Sequence, residues 1–161
     1  MVPMNINKET KASNQVISDK LNLLLSDQFV LFTKTLDCHW NVTGPDFHNL
    51  HNYMETSYNK LLKMMDETAE RIRVIGHRPH GTINKFNSEK RLTERASGEI
   101  HSSNQMIQDL LVANTHICDV IKSALKSDSF DLSDDPGTED FLASTLRSHE
   151  FMAWELRSQL H

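Results

Sequence analysis

Apolar residues recur every three or four positions along most of this chain, the period of a helix with one buried face. Leu21, Leu25, Phe29, Phe32, Leu36 and Trp40 form a first stripe. Thr43-Gly44-Pro45 then breaks the pattern, and Asp46 stands at the N-cap position of the next helix. Leu50, Met54, Leu61, Met65, Ala69 and Ile72 make a second stripe, closed by Gly76 and Pro79. A third runs through Ile107, Leu110, Ile117, Ile121 and Leu125, and a fourth through Leu142, Leu146, Met152, Leu156 and Leu160. Residues 77–98 carry a weaker pattern, with room for one short helix over residues 82–88. The acidic stretch before the fourth stripe, with Pro136 and Gly137, reads as a loop. The pattern predicts an all-α fold, a four-helix bundle with a short extra helix in a long crossover between helices 2 and 3.

Composition narrows this further. A chain of 161 residues suits one domain with a real core. Hydrophobic residues at 38% and charged residues at 24% exclude a disordered chain. Only five Gly and four Pro leave long uninterrupted stretches, which favours helices over a many-turned β fold. A net charge of −5 excludes a surface built as a whole for nucleic acid. Cys38 and Cys118 are isolated, which excludes a CxxC zinc or redox motif and fits free thiols in a reducing cytoplasm. The first residues have no apolar core of signal-peptide length, and no run is long enough to span a membrane. Residues 1–12 are expected as a flexible tail and residues 13–161 as the folded domain.

The chemistry concentrates in Cys38-His39-Trp40-Asn41-Val42 and, after the turn, His51, Glu55, Asp66 and Glu70. Imidazole plus carboxylate suits iron among the first-row metals. His39 and His51 flank the turn, so an antiparallel hairpin brings them level. His51 with Glu55, and Asp66 with Glu70, are i,i+4 pairs. At about 100° per residue, all four second-helix residues fall within an arc of roughly 100°. The stripe is nevertheless too long for one metal. His51 and Asp66 lie roughly 22 Å apart along a helix rising ~1.5 Å per residue, whereas a metal–ligand bond is about 2 Å. Either two separate half-sites exist, or two copies of the helix pack antiparallel. An axis level with Lys60 and Leu61 would then set His39, His51 and Glu55 of one chain against Asp66 and Glu70 of the other.

The run His39-Trp40-Asn41-Val42, with Gly44, Phe47, Leu50-His51, Tyr58, Asp66, Ala69-Glu70-Arg71-Ile72 and Gly76, resembles the Dps family, or mini-ferritins. Thr138, Asp140, Arg147 and Trp154 resemble it too, and the likeness covers roughly residues 13–160. The resemblance implies a ferritin-like subunit and a hollow homo-dodecamer built from two-fold dimers. It implies a two-iron ferroxidase centre at the dimer interface, with His39, His51, Glu55, Asp66 and Glu70 as metal ligands. Such proteins oxidise Fe(II) with hydrogen peroxide or oxygen and store Fe(III) mineral, protecting DNA and cell from oxidative damage. Trp40 matches a residue beside that centre, where it would intercept radicals; its plain alternative is core packing. One departure stands out: the family position at Glu55 is usually Asp, so the second iron position is expected weaker or displaced. Ligation needs deprotonated groups, so oxidation should fail at low pH.

Asp128, Asp131, Asp134, Asp135, Glu139 and Asp140 form an acidic run. They either solvate a loop and complement a helix N-terminus, or line a pore that concentrates cations; Asp135 and Asp140 are the pore candidates, and Asp140 matches a pore position in the resembled family. Residues 1–20 net only +1, so strong DNA binding is not expected from one tail, while twelve tails on one shell leave DNA binding and nucleoid association open through multivalency. Cys38 is expected as a small buried hydrophobe, and His77, His80, His101, His116, His149 and His161 as surface or capping residues. No GxGxxG, P-loop or nucleophile elbow occurs, and no Glu has a His three residues later, which argues against a di-iron centre inside the bundle. The competing function is a non-enzymatic DNA-compacting or structural shell with weak metal binding.

Overall fold

The computed structural model describes residues 8–96, 98–99, 101–127 and 130–160, with side chains from residue 14 onward. Five helices follow in order: α1 (Lys8–Asn41), α2 (Phe47–Val74), α3 (Ile83–Glu89), α4 (Ser103–Leu125) and α5 (Pro136–Ser158). The rest of the described chain is turns and irregular segments. Helix α1 is already helical at Lys8, inside the stretch expected as a tail, while residues 1–7 of that stretch lie outside the described residues. Likewise α5 starts at Pro136, so the second part of the acidic run is helix rather than loop. Pro136 suits the first helical turn, where its missing N–H would have no partner.

Side-chain bonds give the directions. The start of α1 meets the end of α2, Asn14 donating to the Ile75 carbonyl, while His39 meets His51 at the opposite end. The end of α1 meets the start of α4 through Lys34 and Asp109. The end of α2 meets the start of α5 through Arg71 and Thr138. Thus α1 and α5 run one way and α2 and α4 the other, the parallel α2 and α4 being joined by the long crossover. No helix among the described residues is long and apolar enough to cross a membrane.

The core is filled by Leu21, Leu31, Met54, Leu61, Ile72, Leu110, Ile117, Met152 and Leu156, among others. Most residues of the second, third and fourth stripes lie in it, alongside Ile17, Leu24, Val30 and Leu31 of α1. The first stripe is only partly right: Phe29, Phe32 and Leu36 are half-buried, and Trp40 is 70% exposed. Helix α1 is instead covered on more than one side, because the crossover packs along it. Phe86 of α3 stacks on Phe29 at 4.4 Å. The Arg91 guanidinium and backbone N–H bond the fully buried Asp27 at 2.6–2.8 Å. Lys34, also buried, donates to the Thr93 carbonyl and to Asp109. Arg95 pairs with Asp37 at 2.7 Å. These bonds satisfy charges that would otherwise be costly to bury.

Turns follow local chemistry. Gly44 and Gly76 sit at φ +108° and +90°, a region that side chains other than glycine's rarely adopt. Thr82 caps α3, and Ser102 with Gln105 forms a capping box on α4. Asp46 occupies the N-cap position of α2, but its side chain makes no capping bond. Asp128 lies outside the described residues.

Candidate metal centre

The α1–α2 hairpin closes on its two histidines. His39 Nδ1 donates to the His51 carbonyl at 3.0 Å, and His51 Nδ1 donates to the His39 carbonyl at 3.0 Å. A carbonyl oxygen only accepts, so in each neutral ring Nδ1 carries the proton and Nε2 keeps its lone pair. This is the arrangement in which a histidine is oriented as a metal ligand by the bond its other nitrogen makes. The rings stack with centroids 3.8 Å apart, and Tyr58 and Phe47 flank the stack at 5.3 and 5.0 Å. His39 is buried and His51 half-buried. The turn residues set the register, since 12 positions separate the two histidines and Gly44 reverses the chain between them.

Glu55, Asp66 and Glu70 are exposed on the solvent side of α2. No described side chain partners their carboxylates. Nor does any group of three His, Cys, Asp or Glu converge among the described residues of one chain. The hairpin therefore brings His39 and His51 together and leaves the three carboxylates on the same stripe of the surface. Carboxylates free of ion pairs, with Nε2 lone pairs held in place, are a donor set that fits Fe(II) and Fe(III).

Two residues at the level of the expected dimer axis do not face the ligand stripe. Leu61 is fully buried in its own chain's core, and Lys60 lies over the Phe151 ring of α5 at 5.1 Å. Among the exposed side chains at that level are Asn59 and Leu62. At about 100° per residue both fall inside the arc of the candidate ligands. Leu62 is 52% exposed, a large apolar group in the middle of a polar stripe.

The remaining candidates separate. Trp40 does not pack in the core of its own chain. Asp135 is half-buried as the N-cap of α5, accepting from Thr138 N–H and pairing with Arg71 at 2.6 Å. Asp140, on the next turn, is exposed. Burial pushes the Cys38 thiol up to about 11, against the pull of Arg95, so it is protonated and unreactive at neutral pH. His80 bonds Glu89 at 2.8 Å, a tie within the crossover. His149, expected at the surface, is fully buried and bonds Asn114 at 3.0 Å. Burial, with Lys60 nearby, lowers its pKa to about 3. The sequence signal for it was helical phase: His149 is three residues before Met152 and seven before Leu156, on the apolar face. Arg71, which joins α2 to α5, carried no such signal.

This fold has counterparts. A ferritin-like domain model matches residues 18–161. An uncharacterized low temperature-induced protein of Nostoc is 35% identical over 149 residues, covering 92% of this chain and 82% of that protein. DNA protection during starvation protein 2 of Bacillus anthracis is 32% identical over 148 residues, covering 92% and 99%. The crystal structure of a Dps protein from Vibrio cholerae, described as a member of a broad superfamily of ferritin-like diiron-carboxylate proteins, covers 100% of both chains with TM-score 0.86 at 25% identity. The chain belongs to the ferritin-like family and, within it, to the Dps proteins.

Proposed function

We propose that this chain is the subunit of a hollow homo-dodecamer, built from two-fold dimers, that oxidises Fe(II) and stores the Fe(III) product as mineral. The observation that carries the reading is the reciprocal His39–His51 clasp, which leaves two Nε2 lone pairs oriented beside a stripe of unpaired carboxylates. Iron is substrate and cargo here. One protomer gives His39, His51 and Glu55; Asp66 and Glu70 of the partner subunit complete the two-iron site. The helix rise argues for that division, and the exposed apolar groups Leu62 and Trp40 support a dimer that covers them.

Two Fe(II) ions each lose one electron to hydrogen peroxide; the O–O bond breaks and two protons complete two waters. Oxygen is the alternative oxidant. Few protein ligands leave positions open for oxidant, and the carboxylates favour the more highly charged product. Glu55 reaches one methylene further than Asp would, which weakens or displaces the second iron position. Trp40 takes the role of radical trap, and Asp140 that of an inlet carboxylate for cations. Relatives named for DNA protection fit a protein that removes Fe(II) and peroxide, and a net charge of −5 favours that over tight DNA binding. A cytoplasmic location fits the free thiols Cys38 and Cys118. The test is peroxide-driven Fe(II) oxidation by wild type and His51→Ala; equal rates would sink the ferroxidase reading.

A further inference from the structure

Arg71 is the residue after Glu70, yet it points away from the ligand stripe. Its Nε donates to Thr138 Oγ1 at 2.9 Å, and its Nη2 to Asp135 Oδ1 at 2.6 Å. Thr138 is fully buried and in turn donates its hydroxyl to Asp135 Oδ2 at 2.5 Å. The guanidinium lies against Gly137, where an added Cβ would stand 3.0 Å from Nη2. Three residues at the start of α5, Asp135, Gly137 and Thr138, are thus built around one planar fork, which is 20% exposed. The same fork takes the negative charge of Asp135 and leaves Asp140, one turn on, exposed at that helix end beside Glu139.

We infer that Arg71 is a positioning residue. It fixes the inlet carboxylate Asp140 relative to the Asp66–Glu70 half-site by clamping the first turn of α5 onto the last turns of α2. The inference rests on the iron-oxidising reading and on Asp140 as inlet. Geometry, not charge, is the active feature. Removing the Arg71 charge would by itself make this end more attractive to Fe(II), whereas loosening the turn disperses the carboxylate. Arg71→Lys separates the two, because lysine keeps the charge and loses the two-point planar fork.

The experiment measures Fe(II) oxidation against Fe(II) concentration in the assembled full-length protein for wild type, Arg71→Lys, Gly137→Ala, Asp140→Asn and Arg71→Lys/Asp140→Asn. Asp140→Asn is expected to raise the half-saturating Fe(II) about three-fold or more. Arg71→Lys and Gly137→Ala are expected to do the same, with the rate at saturating Fe(II) held within about two-fold. The double variant is expected to be no worse than Asp140→Asn alone, since both act on one carboxylate. If Arg71→Lys and Gly137→Ala match wild type while Asp140→Asn does not, the clamp is only a helix cap and the inference falls. Additive effects in the double variant overturn it equally, as does an Asp140→Asn variant indistinguishable from wild type. Loss of the saturated rate in wild type itself would instead count against the iron-oxidising reading.

Discussion

If the ligands are divided between two chains, two dead variants should rescue each other. His51→Ala spoils the histidine half of a site and leaves that chain's Asp66 and Glu70 intact. Asp66→Ala does the reverse. Neither alone can form a complete site, because every dimer then repeats the same defect twice. A mixed dimer has one site with both defects and one with none. With unbiased pairing, half of the dimers are mixed and each has one good site of two, so co-expression should restore about a quarter of the wild-type rate. The variants should still fold. His39 bonds the backbone carbonyl of residue 51, so that bond survives His51→Ala. What is lost is the His51 Nδ1–H bond to the His39 carbonyl and the ring stack, roughly 1–2 kcal/mol against a total of about 5–15 kcal/mol. The assay is the initial rate of peroxide-driven Fe(II) oxidation per subunit for each variant, for the co-expressed pair, and for shells assembled separately and then mixed. His39→Ala with His51→Ala is the control; both spoil the same half, so no rescue is expected. If the co-expressed His51→Ala and Asp66→Ala pair is no more active than the separately assembled mixture, the division of the site between chains is wrong.

Other outcomes follow from particular residues. Leu62→Asp would set like charges near each other across the two-fold axis. It should shift the assembly toward monomer in sedimentation and lose oxidation in parallel; an unchanged assembly would remove Leu62 from the interface. Arg91→Ala would leave the buried Asp27 carboxylate with the residue-91 backbone N–H but without its counter-charge and should cost about 3–5 kcal/mol in chemical unfolding, more than Asp27→Asn; equal costs would mean that Asp27 reaches water. His149 is held near pKa 3 in the fold against about 6.5 when unfolded. The unfolded chain therefore binds the extra proton first. The contribution is intact above about pH 6.5 and is lost on acidification at about 1.4 kcal/mol per pH unit until near the folded value. His149→Gln should flatten that slope in unfolding measured from pH 7 to 5, and an unchanged slope would assign the acid sensitivity elsewhere.

The sequence alone determined the helices and where they stop. Period and the glycines at Gly44 and Gly76 are local properties, legible within a few residues. It also determined that one chain cannot bring His51 and Asp66 to a single metal ion, since they share a straight helix of fixed rise. What it left open needed contacts between distant residues. Period could not foresee that Trp40 points outward, because a stripe gives phase without saying which neighbours cover it. It gave no hint that Asp27 would be buried, since Arg91 lies 64 positions away. The tertiary structure alone decided the tautomers of His39 and His51, because each is set by the other's carbonyl across the turn. It also decided that Asp135 and Asp140, alike in sequence, part ways. Asp135 is drawn in by Arg71 and the helix N-terminus, and Asp140, one turn later, is left to the solvent.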